Sequence, residues 1–371
     1  MLPRTLIQSA TLSIFVSCLA LAQPTPGLPP FGSFSGGPFD TINNANLNVH
    51  FGIPVFSRAG RGIPFSYTLT YDSSVWSPVS ATGSSVWTPV GNWGWAGVTQ
   101  VETGYITYST TQSSCTPNGT TWYYWNTYSG FIYHDTFGTS HSIGVSASTW
   151  NNYPCGGGPP NPMTMTAGDG SGYSMTVGTS GGYLSATVAR SDGAVMSPPL
   201  QQGSGAGGSV TDSNGNQISV TYNGSVTTFT DTLGTTALTV SGLGTPSSPL
   251  TFGYTNPQST TSSYTMKYTS YTVQTAFGCS GIADYGPTQV NLVTEIDLPD
   301  QTQVPSDKYT IAYEPTTQGS QNYTGRIKSI TLPTGGTITY SYLDGSHNIT
   351  CADGSTSKLT RTTPDGCGFS A

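Results

Sequence analysis

The amino-acid sequence predicts an all-β protein made of antiparallel, sandwich-like or meander-like sheets. Charged residues are only 7% of the 371 residues and Glu occurs three times, whereas helical surfaces usually contain much Glu, Lys and Arg. The 47 glycines and 26 prolines provide turns, and aromatic residues alternate with polar ones in many short segments. Disordered chains are also rich in glycine and serine, but the alternating aromatic segments favour folded strands over most of this chain.

The first 22 residues have the pattern of a secretory signal peptide. Arg4 gives a positive start, residues 12–21 are apolar, and Ala20-Leu21-Ala22 is a small-x-small cleavage site. The apolar run is too short to span a bilayer. Cys18 also permits a lipoprotein interpretation, but Phe15 fits poorly with the sequence motif that precedes a lipid-modified cysteine. The sequence therefore predicts an exported protein, secreted or at the cell surface and not membrane-spanning.

Charge excludes one class of partner. Without residues 1–22 the chain has 9 basic and 17 acidic side chains, a net charge of −8. Because nucleic-acid binding requires a basic surface, no nucleic-acid partner is expected.

Five cysteines follow the predicted cleavage site, and an exported protein can form disulfides. We expect the pairs Cys115–Cys155 and Cys279–Cys351, which leaves Cys367 without an assigned partner. The sequence contains no C-x-x-C motif and no Cys/His cluster. No metal site and no cofactor are therefore predicted.

Six segments follow one another along the chain. They are the signal peptide (1–22), a Pro/Gly-rich lead-in (23–45), a Trp-rich β region (46–160), a hairpin-rich β region (161–310), a hairpin region (311–350) and a polar, unfinished-looking tail (351–371). The clearest strand in the N-terminal half is 65–71, where apolar and polar residues alternate. Further strands are predicted at 46–51, 105–110, 122–128, 129–135, 173–177, 184–189, 217–222, 226–230, 238–240, 263–275, 288–298 and 309–313.

Residues 325–342 predict a strand, a tight turn and a second strand. Ile330 and Leu332 share one face of the first strand, and the second strand alternates in the same way. A lone hairpin is marginal in water, so its apolar face must pack against preceding strands or remain partly exposed. The motif consists of Gly325, Arg326, Pro333, Gly335, Gly336, Tyr340 and Tyr342.

The order Gly-Arg-Ile, apolar strand, Pro-x-Gly-Gly and Thr-x-Tyr-x-Tyr resembles the YD repeat of Rhs-type proteins. A weaker copy spans 212–234, and residues 38–76 resemble the openings of such proteins. The chain is thus similar to the N-terminal region of a secreted bacterial Rhs/YD-repeat protein. In that family many hairpins wind into a hollow shell that often encloses a toxin. This chain has one good repeat and neither the repeat array, the Rhs core nor the toxin domain, so the shell and toxin activities are not implied.

The tryptophans are the main candidates for a binding site. All seven lie between residues 76 and 150, where most are expected to form a β core. Trp93 and Trp95 are the exposed candidates because residues 91–97 read as a loop. Exposed Trp and Tyr stack on sugar faces, so glycans or other cell-surface proteins are the expected partners.

No catalytic residues are predicted. The Gly-x-Ser-x-Gly match at Ser180 lacks the strand-to-helix turn of a nucleophile elbow, and its companions would be His134 or His141 with Asp169. No pair of carboxylates suggests a glycosidase. Asp212-x-Asn-x-Asn lacks the glycine and glutamate of a calcium loop and reads better as a hairpin turn.

The expected function is therefore that of a non-enzymatic, exported β-rich structural or interaction segment. The alternative is a carbohydrate-binding or adhesin module that uses exposed Trp and Tyr side chains. A hydrolase is the third possibility, for which the sequence offers no acid, base and nucleophile set.

Overall fold

A computed structural model describes residues 32–371 apart from 82, 92, 100, 102, 136–138, 150–157, 201–206, 300–306, 318–319, 343–346 and 367. The predicted signal peptide, Cys155 and Cys367 lie outside the described residues. Within them the regular secondary structure consists of strands, which confirms the all-β fold. The described part of the chain has no helix that is long and apolar enough to cross a membrane.

The strands are numbered in chain order. The first group is β1 (Phe34–Gly36), β2 (Asp40–Asn43), β3 (Val49–Arg58), β4 (Phe65–Asp72), β5 (Trp76–Ala81), β6 (Ser84–Pro89) and β7 (Gly94–Thr99). The second is β8 (Tyr105–Cys115), β9 (Tyr123–His134), β10 (Ser140–Ile143) and β11 (Ala147–Ser148).

The remaining strands occupy the C-terminal part. They begin with β12 (Met163–Thr166), β13 (Ser174–Ser180), β14 (Tyr183–Ala189), β15 (Val195–Ser197), β16 (Gly208–Thr211), β17 (Gln217–Asn223), β18 (Val226–Thr230), β19 (Thr236–Ser241), β20 (Leu250–Thr255) and β21 (Thr261–Val273). They end with β22 (Ile282–Ala283), β23 (Thr288–Asp297), β24 (Lys308–Pro315), β25 (Asn322–Thr331), β26 (Thr337–Ser341), β27 (Thr360–Thr362) and β28 (Gly368–Ser370).

These strands form four sheets. The largest has sixteen strands, β12 to β28 without β22, and its order follows the sequence, so it is a meander. A five-stranded sheet has the order β1-β2-β3-β4-β7, a four-stranded sheet joins β8, β10 and β11 to β9, and a three-stranded sheet has the order β22-β6-β5. Pairings are antiparallel except those of β22 with β6 and of β21 with β25. The meander predicted from the sequence is therefore present.

The larger of two hydrophobic cores joins the five-stranded sheet to the meander. The alternating residues Phe65, Tyr67, Leu69 and Tyr71 of β4 are all buried, as a strand with one buried face requires. They meet buried side chains of β17 to β26 across the core. Phe229, for example, lies 5.4 Å from the Tyr67 ring, centroid to centroid. This part of the molecule is a sandwich of two sheets.

The second core lies between the four-stranded sheet and the start of the meander. Ile106, Phe131 and Tyr133 from β8 and β9 pack with apolar residues of β13 to β16, among them Met175 and Val188. The meander thus has different sheets packed on its early and late strands.

One type of turn recurs in the meander, at 190–194, 212–216, 231–235, 256–260 and 332–336. In each turn the first N–H donates to the fifth carbonyl and the fourth N–H donates back to the first carbonyl, at 2.8–3.1 Å. The fourth residue has a positive φ and is glycine except at Ser259. The turn predicted at Pro333 to Gly336 and the one that begins at Asp212 are both confirmed.

Asx hydrogen bonds strengthen three of these turns. Oδ1 of Asp212, Asp231 and Asn256 accepts hydrogen bonds from the N–H groups of the third and fifth turn residues. These turns are therefore specified locally, by the side chain at the first position and the backbone freedom at the fourth.

The structure differs from the sequence-based segments at several places. The lead-in contains β1 and β2, and the tail contains β27 and β28, which extend the meander. Strand β24 crosses the predicted boundary between residues 310 and 311. The two strands predicted at 122–128 and 129–135 form one strand, β9. Gly130 takes a positive φ within it, at the point where its pairing with β8 is irregular.

The predicted Cys279–Cys351 disulfide is confirmed, with a Cα–Cα distance of 5.7 Å and a sequence separation of 72. Cys115 is also disulfide-bonded, while its predicted partner Cys155 lies outside the described residues.

Candidate functional site

Trp93 and Trp95 lie beside a cavity between the two sheets of the larger core. The cavity has a volume of about 190 Å³ and is lined by Trp93, Gly94, Trp95, Tyr268, Val290, Asn291, Leu292, Val293, Tyr313 and Gly325. We call it the Trp groove. It is smaller than typical ligand pockets, which occupy roughly 300–1,000 Å³.

Both tryptophans are half-buried against the core, not exposed at a loop tip as expected. Strand β7 pairs with β4, placing Trp95 opposite Tyr71, and their ring centroids are 5.6 Å apart. Gly97 permits this pairing, because a Cβ there would collide with the Tyr67 hydroxyl. Gly97, one of the glycines that suggested a loop in the sequence, therefore allows close packing within a strand.

Gly325 of the repeat-like motif forms part of the groove wall. Its φ is +82°, and a Cβ at this position would lie 2.6 Å from Cζ3 of Trp93. The glycine thus provides both a left-handed backbone and space for the indole ring. The hairpin motif and the predicted ligand-binding tryptophan, 232 positions apart in sequence, meet at this point.

Two tyrosines complete the groove. The Tyr313 hydroxyl donates to the Val293 carbonyl at 2.7 Å, and burial raises the pKa of Tyr313 far above its usual value. Burial also raises the pKa of Tyr268 to about 12. Both hydroxyls therefore stay protonated at neutral pH and act as neutral polar groups rather than as bases.

Arg326, the next motif residue, is buried in a polar network behind the groove. Its Nε lies 2.8 Å from Oε2 of Glu314, and Nη2 donates to Oε1 of Glu314 at 3.0 Å and to the His347 carbonyl at 2.8 Å. The guanidinium also lies 4.0 Å from the centroid of the Tyr342 ring. Arg326 is 2% exposed, so its charge interacts with groups inside the protein rather than with solvent.

Glu314 receives further hydrogen bonds in this network. The Thr324 hydroxyl donates to Oε2 at 2.7 Å, and Nδ1 of His347 lies 2.7 Å from Oε1. Burial alone would raise the pKa of Glu314, but the charge of Arg326 and the hydrogen bonds of His347 and Arg326 outweigh burial and lower that pKa. The carboxylate is therefore ionised at neutral pH and has a structural role, because a general acid would need a pKa near neutral pH.

Tyr340 belongs to a second buried network. Its hydroxyl donates to Oδ2 of Asp40, whose two carboxylate oxygens also accept from Nε and Nη2 of Arg361 at 2.6 and 2.7 Å. Together Asp40, Tyr340 and Arg361 join strand β2 to strands β26 and β27. Ile338, Tyr340 and Tyr342 are at most 2% exposed, so the apolar face of the hairpin packs fully.

The catalytic candidates are not assembled into a nucleophilic site. Ser180 ends β13 and is followed by a glycine turn into β14, so no strand-to-helix elbow exists there. His141 does approach Asp169, with Nδ1 2.6 Å from Oδ2. Among the described residues no hydrogen bond joins Ser180 to either His134 or His141. In the same part of the chain, no group of three or more His, Cys, Asp or Glu side chains could hold a metal ion.

Sequence reasoning did not single out Glu314, His347, Asp40 or Arg361. Glu314 carries one signal that could have indicated it, because it is one of only three glutamates and lies next to Tyr313 in a predicted strand. Asp40 and Arg361 are 321 positions apart, and nothing local marks them as partners.

Neither models of known protein families nor curated proteins match this chain. Among solved structures it is similar to a porin-like protein from Bacteroides uniformis, with 11% identity and a TM-score of 0.26 over 69% of this chain and 94% of that chain. A likeness with this TM-score supports no conclusion about fold or function.

Proposed function

We propose that the chain is a non-enzymatic, exported structural and interaction segment of the Rhs/YD-repeat type. The observation that best supports this is the burial of the repeat-like hairpin: Arg326, Tyr340 and Tyr342 are buried, and Gly325 and Tyr340 contact residues of the N-terminal part. The recurring five-residue turn is a second support, since a scaffold of stacked hairpins requires such a unit.

Export is tested by expressing residues 1–371 with a C-terminal epitope tag in a Gram-negative host. The control variant lacks residues 1–22. We expect the tag outside the cytoplasm for the full chain alone, with Cys279 and Cys351 joined in non-reducing mass mapping. A cytoplasmic tag in both proteins would contradict export.

The absence of serine catalysis is tested with a fluorophosphonate probe. We expect the folded protein to remain unlabelled at Ser180, because no histidine of the described residues is hydrogen-bonded to its hydroxyl. Labelling of the native protein that disappears in Ser180→Ala would favour a hydrolase instead.

Carbohydrate binding in the Trp groove is a second candidate function. Its support is the cavity of about 190 Å³ walled by two tryptophans and Tyr268, with the exposed Asn291 at its rim. On a glycan array we expect Trp93→Ala combined with Trp95→Ala, and Asn291→Trp, to reduce binding. The second variant fills the opening without removing a core side chain. Unchanged binding in both variants would exclude the groove as the site.

A further inference from the structure

The hairpin of β8 and β9 extends beyond the core that holds its base. Its inner half contributes Ile106, Phe131 and Tyr133 to the second core. Beyond the register shift between Thr107 and Ser109, the outer half of β8 is mostly exposed. The hairpin therefore has a packed base and an outer end at which surface residues are not needed for the core.

Two large aromatic side chains are displayed at this outer end. Trp122 is 60% exposed and Tyr124 is 61% exposed. Their ring planes are within 18° of parallel, and their centroids are 6.2 Å apart. Contiguous exposed apolar surface on a soluble protein often marks a binding site. We call this pair the hairpin platform.

The turn that precedes the hairpin platform has several local constraints. Oδ1 of Asn118 accepts hydrogen bonds from the N–H groups of Thr120 and Thr121 at 3.2 and 2.9 Å. Gly119 takes a φ of +72°, and Cys115, the last residue of β8, is disulfide-bonded. Because these contacts restrict the backbone, a ligand that stacks on the rings should lose less binding free energy to ordering of the protein.

The chemistry around the rings indicates the kind of ligand. Residues 103–133 contain no Asp, Glu, Lys or Arg, and the platform is surrounded in sequence by Ser, Thr, Asn, Gln and Tyr. Polyanions such as nucleic acids and anionic membranes recruit Lys and Arg, which this hairpin lacks. Rings that offer apolar faces, next to hydroxyl and amide groups, match an uncharged ligand that has apolar faces and many hydroxyls.

We propose that the hairpin platform, Trp122 and Tyr124, binds neutral polysaccharides made of β-linked pyranoses with equatorial substituents. The C–H faces of such sugars stack on the two rings, and the Ser, Thr and Asn side chains nearby hydrogen-bond to the hydroxyls. This inference shares its ligand class with the second candidate function above but uses a different surface, so either can fail alone.

The test is affinity electrophoresis of the disulfide-intact chain from residue 23 in gels that contain hydroxyethylcellulose, mixed-linkage β-glucan or arabinoxylan. The variants are Trp122→Ala combined with Tyr124→Ala, the aromatic control Trp122→Phe combined with Tyr124→Phe, and Asn291→Trp in the Trp groove. Circular dichroism and thermal melting establish that each variant folds. Sedimentation with zwitterionic phosphatidylcholine vesicles runs in parallel.

We expect the wild type to be retarded by at least one of these polysaccharides. The double alanine variant should lose about tenfold or more in affinity, while the double phenylalanine variant keeps most of it. Loss in Asn291→Trp but not in the double alanine variant would overturn the platform and leave the groove as the site. No retardation by any of the three polysaccharides, or vesicle binding that depends on Trp122 and Tyr124, would also overturn the proposal.

Discussion

Arg326 and Glu314 show how a chain with few charges uses them inside the protein. Both side chains are at most 5% exposed, and their contacts with each other, Thr324 and His347 satisfy most of their hydrogen-bonding capacity. A buried ion pair is costly to break, because the remaining partner is left charged without compensation.

Arg326→Met is therefore expected to reduce the free energy of unfolding by about 3–5 kcal/mol. Arg326→Met combined with Glu314→Leu should cost less than the sum of the two single variants, because the double variant leaves no unpaired charge. Urea unfolding followed by tryptophan fluorescence measures all three. Additive losses would mean that the two side chains act independently.

The lowered pKa of Glu314 predicts a pH dependence of stability. A carboxyl whose folded-state pKa is below its unfolded value, about 4.3, stabilises the fold above that pH. This stabilisation is lost as the pH falls through the folded-state value. The melting temperature of the wild type should therefore fall more steeply below about pH 4.3 than that of Glu314→Gln. Parallel curves would show that Glu314 is not linked to acid unfolding.

Gly325 and Gly335 provide a matched pair for the role of the groove wall. Their φ values are +82° and +86°, but a Cβ would meet Trp93 at Gly325 and open space at Gly335. Gly335→Ala should cost about 1 kcal/mol through backbone strain alone. Gly325→Ala should cost about 1–3 kcal/mol more, because Trp93 must move. Equal losses in chemical denaturation would mean that the indole ring adapts freely.

At the scale of elements, the five-residue turns combine local rules with tertiary contacts. The Asp231 carboxylate accepts hydrogen bonds within its own turn and another from Nη1 of Arg58 at 3.1 Å. The Thr232 hydroxyl accepts a hydrogen bond from the Arg61 N–H at 2.7 Å. The loop between β3 and β4 is thereby fixed to the turn between β18 and β19.

Asp231→Ala is expected to cost about 2–3 kcal/mol, since it removes the turn hydrogen bonds and the Arg58 ion pair from a buried carboxylate. Asp212→Ala removes the same turn bonds without an ion pair and should cost less. Thermal melting of both variants gives the difference. If the two losses were equal, the Arg58 contact would add nothing to stability.

Sequence patterns could predict those elements whose causes are local. The alternation in 65–71 and the Pro-x-Gly-Gly turn at 333–336 predicted β4 and the β25–β26 hairpin, because burial of one face and positive φ can be read from neighbouring residues. Strand β7 could not be predicted in this way. Its glycines resemble those of a loop, and the need for Gly97 follows only from Tyr67 of the partner strand, whose hydroxyl a Cβ would meet.

The same limit applies to the candidate sites. Trp93 and Trp95 were predicted as candidates, but their half-buried state depends on Tyr71 and Gly325, which are distant in sequence. The exposure of Trp122 and Tyr124 was not predicted, because an aromatic-rich strand in the sequence gives no indication that its outer half lies beyond the core.

At the scale of the whole molecule, the Cys279–Cys351 disulfide closes a long loop within the meander. Its sequence separation of 72 residues corresponds to a stabilisation of about 4 kcal/mol in the chain-entropy model. Cys279→Ser combined with Cys351→Ser should lower the urea midpoint accordingly. A variant with an unchanged midpoint would indicate that the unfolded chain is already restricted in this region.

Contacts between Asp40 and Arg361, and between Tyr71 and Gly325, join residues 321 and 254 positions apart. A ribosome or an export channel delivers the chain from its N-terminus, so the five-stranded sheet emerges long before the strands that cover it. Until those strands are made, the face that will later be buried, which includes Phe51, Phe65 and Tyr71, is exposed to water. During that interval it can associate with the wrong segments. Folding with such distant partners is also slow. We therefore expect the yield of native protein in the cell to depend on holding chaperones, even though the finished fold needs none.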